Sequence, residues 1–408
     1  MKVLAITVGG SPDPIVNAIR SGNPDYVLFF ASTSPNGGSK RQLLETTEKG
    51  PPITQRADLN DDSFEIIDVP DPDDMDTCFQ LMIEAMETAT DRLSPAQRIA
   101  DYTGGTKTMS AALVIAALHL GWQLELVTGP RKDTVKVISG TESPVAVMPA
   151  SVRFYQLEHE AKILFDSHAF RALEDLLENG LKIPPPLPSK KRAWAQNLLV
   201  LSRAFRLWDN FQYEEALEVI RPVARCCPSH VETLAQIVGK ETPSYKLVSD
   251  LIGSAMRRAE NGLLDDAVLR LYRAVELLAQ VRLLREHGLD TGKLDISKIP
   301  VPLKQEFMER ATKEGQISAG LLDSYRILAS LDDPLGKLFA EKWEMKLKDL
   351  MQYRNKSFLT HGLKPIGEEE WKRAKELALG FIEEAATVSK LKLDPVVFPK
   401  FRELQDRI

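Results

Sequence analysis

Arg354 and His361 stand seven positions apart in the stretch Tyr353-Arg354-Asn355-Lys356-Ser357-Phe358-Leu359-Thr360-His361-Gly362. A guanidinium grips a phosphate through charge-assisted hydrogen bonds, and an imidazole moves protons near neutral pH. The two groups together suit work on a phosphodiester. Seven residues are close to two helical turns, so on a continuous helix both side chains leave one face, about 10 Å apart along the axis. Spacing alone decides nothing, because an arginine followed after four to six residues by a histidine occurs four times: Arg153/His159, Arg225/His230, Arg282/His287 and Arg354/His361. Pro228 interrupts the second pair. The first lies where a helix is expected to begin only near Leu157. The third has a five-residue offset, which misaligns its side chains by about 140°. Arg354/His361 is left, on a helix expected over Lys337 to Thr360, with Asn355 directly after the arginine. The same residues fit a surface arginine and a histidine favoured at a helix C-terminus, and the local pattern leaves both readings open.

A second group of useful residues lies near the N-terminus. Three small, hydroxyl-rich loops, Gly9-Gly10-Ser11, Ser32-Thr33-Ser34 and Thr103-Gly104-Gly105-Thr106-Lys107-Thr108, each follow an apolar run. Glycine lets a ligand approach the backbone, helix N-termini offer N–H groups to phosphate, and Lys107 adds a positive charge. Neither GxxxxGK[ST] nor GxGxxG is matched, which argues against a P-loop nucleotidase and a nicotinamide enzyme. Each loop by itself fits an ordinary turn and N-cap. Three on one edge favour nucleotide binding.

The elements that must carry these groups are legible in outline. Strands are expected at Lys2–Val8, Tyr26–Ala31, Phe64–Val69, Arg98–Asp101 and Gln123–Thr128, with a closing hairpin from Val135–Ser139 and Val145–Met148. Helices fall between them, the clearest at Asp73–Leu93 and in the Ala-rich stretch after Thr108, ending at Leu120. That alternation predicts a mostly parallel α/β sheet with helices on both faces, ligands binding at the strands' carboxyl ends. After about residue 150 the pattern becomes helical throughout, so the fold class is α/β followed by all-α. Helices are expected at Leu157–Gly180, Lys191–Trp208, Tyr213–Arg225, Asp265–Glu286 and Glu368–Leu391, with two shorter ones within Leu303–Asp333 and a stiff connector at Pro184–Pro188. Asn210-Phe211-Gln212-Tyr213-Glu214-Glu215-Ala216-Leu217 echoes Asn261-Gly262-Leu263-Leu264-Asp265-Asp266-Ala267-Val268, in the manner of tetratricopeptide hairpins. Trp194, Trp208 and Phe211 are expected in the core, and Arg270, Arg273, Arg282 and Arg285 on a solvated face.

The chain has 408 residues, enough for two or three domains, and a net charge of -6 that excludes a generally basic nucleic-acid coat. Its three cysteines, Cys78, Cys226 and Cys227, form no CxxC pair. They predict a reducing, cytoplasmic setting with no disulfide framework and no zinc site. No segment is long enough to span a bilayer, and no Asp/Glu/His cluster has metal-ligand spacing.

Thr7-Val8-Gly9-Gly10-Ser11-Pro12 after the first strand, with Asp101-Tyr102-Thr103-Gly104-Gly105-Thr106-Lys107-Thr108-Met109-Ser110, resembles a CRISPR-associated CARF domain. Arg-Asn followed by His on a late helix resembles the HEPN ribonuclease motif, R-x(4–6)-H. CARF followed by HEPN is the build of the type III CRISPR accessory ribonucleases. The resemblance implies a CARF-like Rossmann sensor at 1–150, a helical connecting domain at 151–245 and a HEPN-like nuclease domain at 246–408. It implies a homodimer activated by cyclic oligoadenylate (cyclic tetra- or hexa-adenylate) bound at Gly9, Gly10, Ser11, Ser32, Thr33, Thr103, Gly104, Gly105, Thr106 and Lys107. It further implies a metal-independent endoribonuclease acting on single-stranded RNA through Arg354, Asn355 and His361, with neither cofactor nor stable DNA binding. In that picture Arg354 holds the phosphate, His361 moves a proton, and Asn355 orients the arginine or the RNA. Some sensors of this kind also cut their own ring slowly, and Ser11 and Thr106 carry hydroxyls for such a step.

Three other readings compete, one of them a nuclease of another class, for which no PD…(D/E)xK-type carboxylate site is evident; the remaining two are not nucleases. One is a non-catalytic CARF regulator whose helical half binds DNA or protein. The other is a tetratricopeptide-like interaction module attached to a nucleotide-binding domain. A basic recognition helix after a short turn would favour the former, and the sequence has no convincing one.

Overall fold

The computed structural model describes residues 1–33, 38–128, 143–147, 150–182, 186–239, 243–309 and 317–408. Ser34, the strand expected at Val135–Ser139, Met148, Pro184 and Pro185 lie outside these residues. The chain divides into two compact units, Met1–Glu158 with Asn179–Arg192, and His159–Glu178 with Ala193–Ile408.

Among the described residues, the first unit is built on a six-stranded sheet in the order β3-β2-β1-β4-β5-β6. The strands are β1 (Lys2–Val8), β2 (Tyr26–Ser32), β3 (Phe64–Val69), β4 (Gln97–Asp101), β5 (Gln123–Thr128) and β6 (Ser143–Val147). The first five run parallel and β6 returns antiparallel to β5. Helices α1 (Pro12–Gly22), α2 (Met75–Leu93) and α3 (Lys107–Leu120) cover it. Successive strand residues point to opposite faces, and both faces here are dry. Leu4, Ile6, Val8, Val27 and Phe29 pack with Ile15 and Ile19 of α1. Val3, Ala5, Leu28 and Phe30 pack with Met82, Met86, Leu113 and Ala116 of α2 and α3. This is why β2 reads as an unbroken apolar run and not an alternation.

The second unit is helical. Its parts are α4 (Ala150–Asp166), α5 (Phe170–Lys182), α6 (Ser189–Asp209), α7 (Tyr213–Ile220), α8 (Pro228–Val238), α9 (Lys246–Glu260), α10 (Leu264–His287), α11 (Val301–Glu309), α12 (Leu321–Ser330), α13 (Glu344–Lys356) and α14 (Glu368–Ser389), the first three being shared with the first unit. Helix α10 is central: Leu271, Ala274, Val275 and Leu278 are wholly buried in one cluster with Tyr325, Leu347, Leu350, Ala378 and Phe381 of the helices around it. An extended segment before Phe401 straps the unit together. Val396 N–H donates to the Ser249 carbonyl at 3.0 Å, and Gly253 is needed beneath it because a Cβ there would sit 1.9 Å from the Val396 oxygen. Phe398 then inserts between Phe205 (4.8 Å between ring centroids) and Trp208 (5.1 Å), with the Arg257 guanidinium 3.6 Å over its ring.

Several expectations change in detail. The helix expected over Leu157–Gly180 is two helices, broken at His168, whose φ of 59° turns the chain left-handed. Helix α4 begins at Ala150, so Arg153 and His159 do share a helix, but six residues put them about 120° apart around it. Arg282 and His287 converge: the Arg282 Nε at 2.8 Å and the His287 Nε2 at 3.0 Å meet one oxygen of Asp333. The arginine's length overcomes the angular offset. Arg270 and Arg282 are not on a solvated face, with side chains 11% and 16% exposed against Asp266 and Asp333. Phe211 is 42% exposed, and Trp194 is only half-buried, whereas Trp208 is fully buried. The echo between residues 210–217 and 261–268 is structural. Phe211 and Gly262, its equivalent, both have positive φ (63° and 73°) and close the same helix–turn–helix corner. Arg270 stacks over the Phe211 ring at 4.7 Å and so joins the two corners.

Candidate functional site

In the first unit the strand order reverses between β1 and β4, which opens a crevice at their carboxyl ends. The loops after those two strands meet there. Thr7 Oγ1 donates to the Gly104 carbonyl at 2.7 Å, and Ser110 Oγ donates to the same oxygen at 2.8 Å. The approach is so close that a Cβ on Gly104 would lie 2.3 Å from the Thr7 oxygen, and one on Gly9 2.6 Å from the Gly105 nitrogen. Gly105 has a φ of 83°, a left-handed conformation that suits glycine. Gly9, Gly104 and Gly105 thus form one contiguous backbone surface, with Gly10, Ser11 and Lys107 exposed at its rim.

The hydroxyls divide by use. Thr106 Oγ1 accepts from Met109 N–H at 3.1 Å as the N-cap of α3 and donates to the Pro72 carbonyl at 2.5 Å. Thr103 Oγ1 accepts from Val127 N–H at 2.8 Å. Both serve the fold, as capping and turn residues do. Ser11 precedes α1 without a side-chain capping bond. Ser32 is paired with Ser39 through Ser39 N–H (3.0 Å), and with Thr33, Lys40 and Arg41 it lines a cavity of about 240 Å³. Two residues with no signal in the sequence reach this edge. Gln42 Nε2 donates to the Gly9 carbonyl at 3.1 Å, and Lys49 Nζ donates to that of Gly10.

Asp101 ends β4 beneath the crevice and is fully buried. One carboxylate oxygen accepts from Thr103 N–H at 2.8 Å, which shapes the start of the loop. The other has no hydrogen-bond partner among the described residues. Burial pushes its pKa up to about 6. The folded state therefore holds this proton more tightly than the unfolded chain, whose carboxylate titrates near 3.8. The contribution of Asp101 is greatest below that value and is lost as pH rises to about 6, a change of about 2–3 kcal/mol. Asp101→Asn is expected to flatten this slope, read as the difference between wild-type and variant melting curves from pH 4 to 7. Equal slopes would refute the assignment.

In the second unit, a helical run from Pro334 includes a π-turn at Phe339–Trp343 and continues as α13. It does not extend to Thr360. It stops at Lys356, because Ser357 adopts extended backbone (φ -58°, ψ 136°) and its buried hydroxyl donates to Asp265 at 2.6 Å. The shared helical face expected for Arg354 and His361 is therefore absent. The segment that follows folds back onto α13 instead. Thr360 Oγ1 donates to the Arg354 carbonyl at 2.6 Å, and Gly362 N–H to the Ser357 carbonyl at 3.0 Å. The chain folds back so tightly that a Cβ on Gly362 would lie 1.6 Å from the Lys356 oxygen. His361 is exposed between these two anchors.

Arg354 is half-buried, its guanidinium 5.4 Å over the Tyr272 ring and 2.9 Å from Asn355 Oδ1. Asn355 thus contacts the arginine it was expected to orient. The other spaced pairs serve structure: His230 Nε2 meets the Val397 carbonyl at 2.9 Å in the strap, and Arg282 and His287 grip Asp333. Among the described residues no group of three His, Cys, Asp or Glu is placed to hold a metal ion, and no helix is long and apolar enough to cross a membrane.

Comparison with known proteins bears on both units. Residues 238–385 match the family model of the Csm6 HEPN domain. The structure of Enterococcus italicus Csm6 bound to cyclic hexa-2'-fluoro-hexa-dAMP superposes with a TM-score of 0.60 at 12% identity, over 100% of this chain and 98% of that one. A type III CRISPR defence DNA nuclease activated by cyclic oligoadenylate overlaps 49% of this chain and 33% of its own at 15% identity, and its TM-score of 0.25 carries no argument. No curated protein matches the sequence. Residues 238–385 thus belong to the Csm6 HEPN domain family, and the chain as a whole takes the fold of Csm6.

Proposed function

We propose that this protein is a type III CRISPR accessory endoribonuclease, metal-independent and switched on by cyclic oligoadenylate. The observation that carries the reading is the fold-back of residues 357–362 onto the last turn of α13, in a stretch that holds Arg354, Asn355 and His361 and lies inside the segment matched by the HEPN family model. The RNA's own 2′-OH is the nucleophile. Its oxygen bonds to phosphorus as the bond to the 5′-oxygen breaks, leaving a 2′,3′-cyclic phosphate and a 5′-OH. Arg354 holds the phosphate and offsets the charge that builds up on its oxygens, with Asn355 fixing the guanidinium. His361 moves a proton at one of the two oxygens, from the attacking 2′-OH or to the leaving 5′-oxygen.

One copy covers one side of a phosphate. Phe358, Leu359 and Leu363 around His361 are 63%, 61% and 90% exposed, a local apolar concentration that fits contact with a second copy. Two copies meeting antiparallel would set both arginines and both histidines about one cleft, and the dimer would present the Gly9 and Gly104 loops twice to a ring of matching symmetry. The ring activates by binding one arrangement of the dimer better than another. That a relative of the same fold binds a cyclic hexa-adenylate analogue supports this ligand class.

The test is single-stranded RNA incubated with and without cyclic tetra- and hexa-adenylate. Cleavage is expected only with a ring, insensitive to EDTA, giving 2′,3′-cyclic phosphate ends and leaving DNA intact. A 3′-OH product or cleavage of DNA would overturn the mechanism. A ring that binds without inducing any cleavage would instead favour a regulator.

A further inference from the structure

We propose that Asp265 is a positioning residue of the nuclease site, whose carboxylate pins both ends of the loop that carries His361. The inference rests on the nuclease reading above. Asp265 lies in the first turn of α10, 92 residues before Ser357. Its Oδ1 accepts from the Ser357 hydroxyl at 2.6 Å and from Phe358 N–H at 2.9 Å, and its Oδ2 accepts from Ile366 N–H at 3.0 Å. Ser357 and Ile366 are buried, while Phe358, Leu359, His361 and Leu363 between them are exposed. The loop is therefore clamped at its two feet by one side chain. Its interior is drawn onto α13 by the bonds from Thr360 and Gly362.

The neighbouring carboxylate has a different task. Asp266 pairs with Arg258 and Arg270 within the helical core, whereas among the described residues the hydrogen bonds of Asp265 come from the loop. Leu347 and Leu350 already seat α13 against α10 through apolar contact, so the carboxylate is not needed to hold those helices together. What it adds is geometric. Hydrogen bonds to an ionised acceptor are roughly twice as strong as neutral ones, and a loop fixed at both feet samples fewer conformations. A displacement of about 1 Å at a reacting group costs on the order of 10²-fold in rate.

The experiment uses the full-length protein with Asp265→Asn, Asp265→Glu, Ser357→Ala and His361→Ala. The amide of Asp265→Asn keeps one acceptor oxygen and cannot accept at both feet. With ring saturating, its kcat is expected to fall about 10–100-fold while KM for RNA and Kd for the ring stay within about twofold. Asp265→Glu, a methylene too long, should not restore kcat, and Ser357→Ala should lose about 3–10-fold. Independently of activity, chymotrypsin should cut after Phe358 or Leu359 faster in Asp265→Asn than in wild type. Wild-type kcat in Asp265→Asn, beside an inactive His361→Ala, overturns the positioning role and leaves the nuclease reading standing. Wild-type cleavage by His361→Ala fails the nuclease reading and takes the positioning role with it. Should Asp265→Asn not fold, Ser357→Ala decides, and unchanged kcat there overturns the proposal.

Discussion

His361→Ala is expected to lower ring-stimulated RNA cleavage by about 10²–10⁴-fold, the range for removal of a general acid or base. Ring affinity and melting temperature should stay near wild type. His361 is exposed and lies in a loop whose feet are held by Asp265 and whose middle is held by Thr360 and Gly362, so no packing is lost with the imidazole. Arg354→Ala should be similarly inactive for a different reason. It removes the cation from the phosphate, and also a guanidinium stacked on Tyr272 and bonded to Asn355, so a small fall in stability is expected as well. Arg354→Lys keeps the charge and loses the fork, and recovers little. Raising the ring concentration should rescue none of these. The measurement is single-turnover cleavage at saturating ring, with binding followed by calorimetry. Retention of wild-type cleavage by His361→Ala would remove the nuclease assignment.

Gly104→Ala is expected to weaken cyclic oligoadenylate binding by about 100-fold or more. The methyl group would sit 2.3 Å from the Thr7 carbonyl oxygen and 3.0 Å from Gly9 N–H. Thr7 is fixed by its register in β1, paired with Phe30 of β2, so the loop after β4 must move and not the strand. Such overpacking costs about 1–3 kcal/mol. It also opens the crevice between the two loops, which is where the ring is proposed to lie. Gly10→Ala is the paired control. Its added methyl meets only the flexible end of Lys49, at 3.9 Å, so any effect it has on binding reports the ligand itself and not the fold. The two large predictions differ in kind. Gly104→Ala should regain cleavage as ring is added in excess, and His361→Ala should not. Tight binding by Gly104→Ala would place the ring elsewhere.

Much of the architecture was legible because it rests on local patterns. Apolar runs ending in small polar loops marked the parallel strands, and the Ala-rich stretch after Thr108 marked the helix they feed. The two glycine loops could be named as neighbours because strand order in such sheets leaves a crevice at one place. Asp265, Gln42 and Lys49 were not legible. Each acts on backbone groups far along the chain, and a carboxylate, an amide or an ammonium that reaches a distant N–H or C=O leaves no spacing to read.

The motif around Arg354 shows where the division falls. The sequence by itself determined the residue types: a guanidinium, an amide beside it and an imidazole seven positions on, inside a long helical module. It also predicted a helix through Thr360, since nothing in Lys356-Ser357-Phe358-Leu359-Thr360 forbids one. Only the tertiary structure decided that the helix ends at Lys356. Helix propensities differ by a few tenths of a kcal/mol per residue, and the carboxylate of Asp265, brought there by the packing of α10, outweighs them with three hydrogen bonds. The place of His361 is set by that contact and by the turn at Gly362, not by helical periodicity.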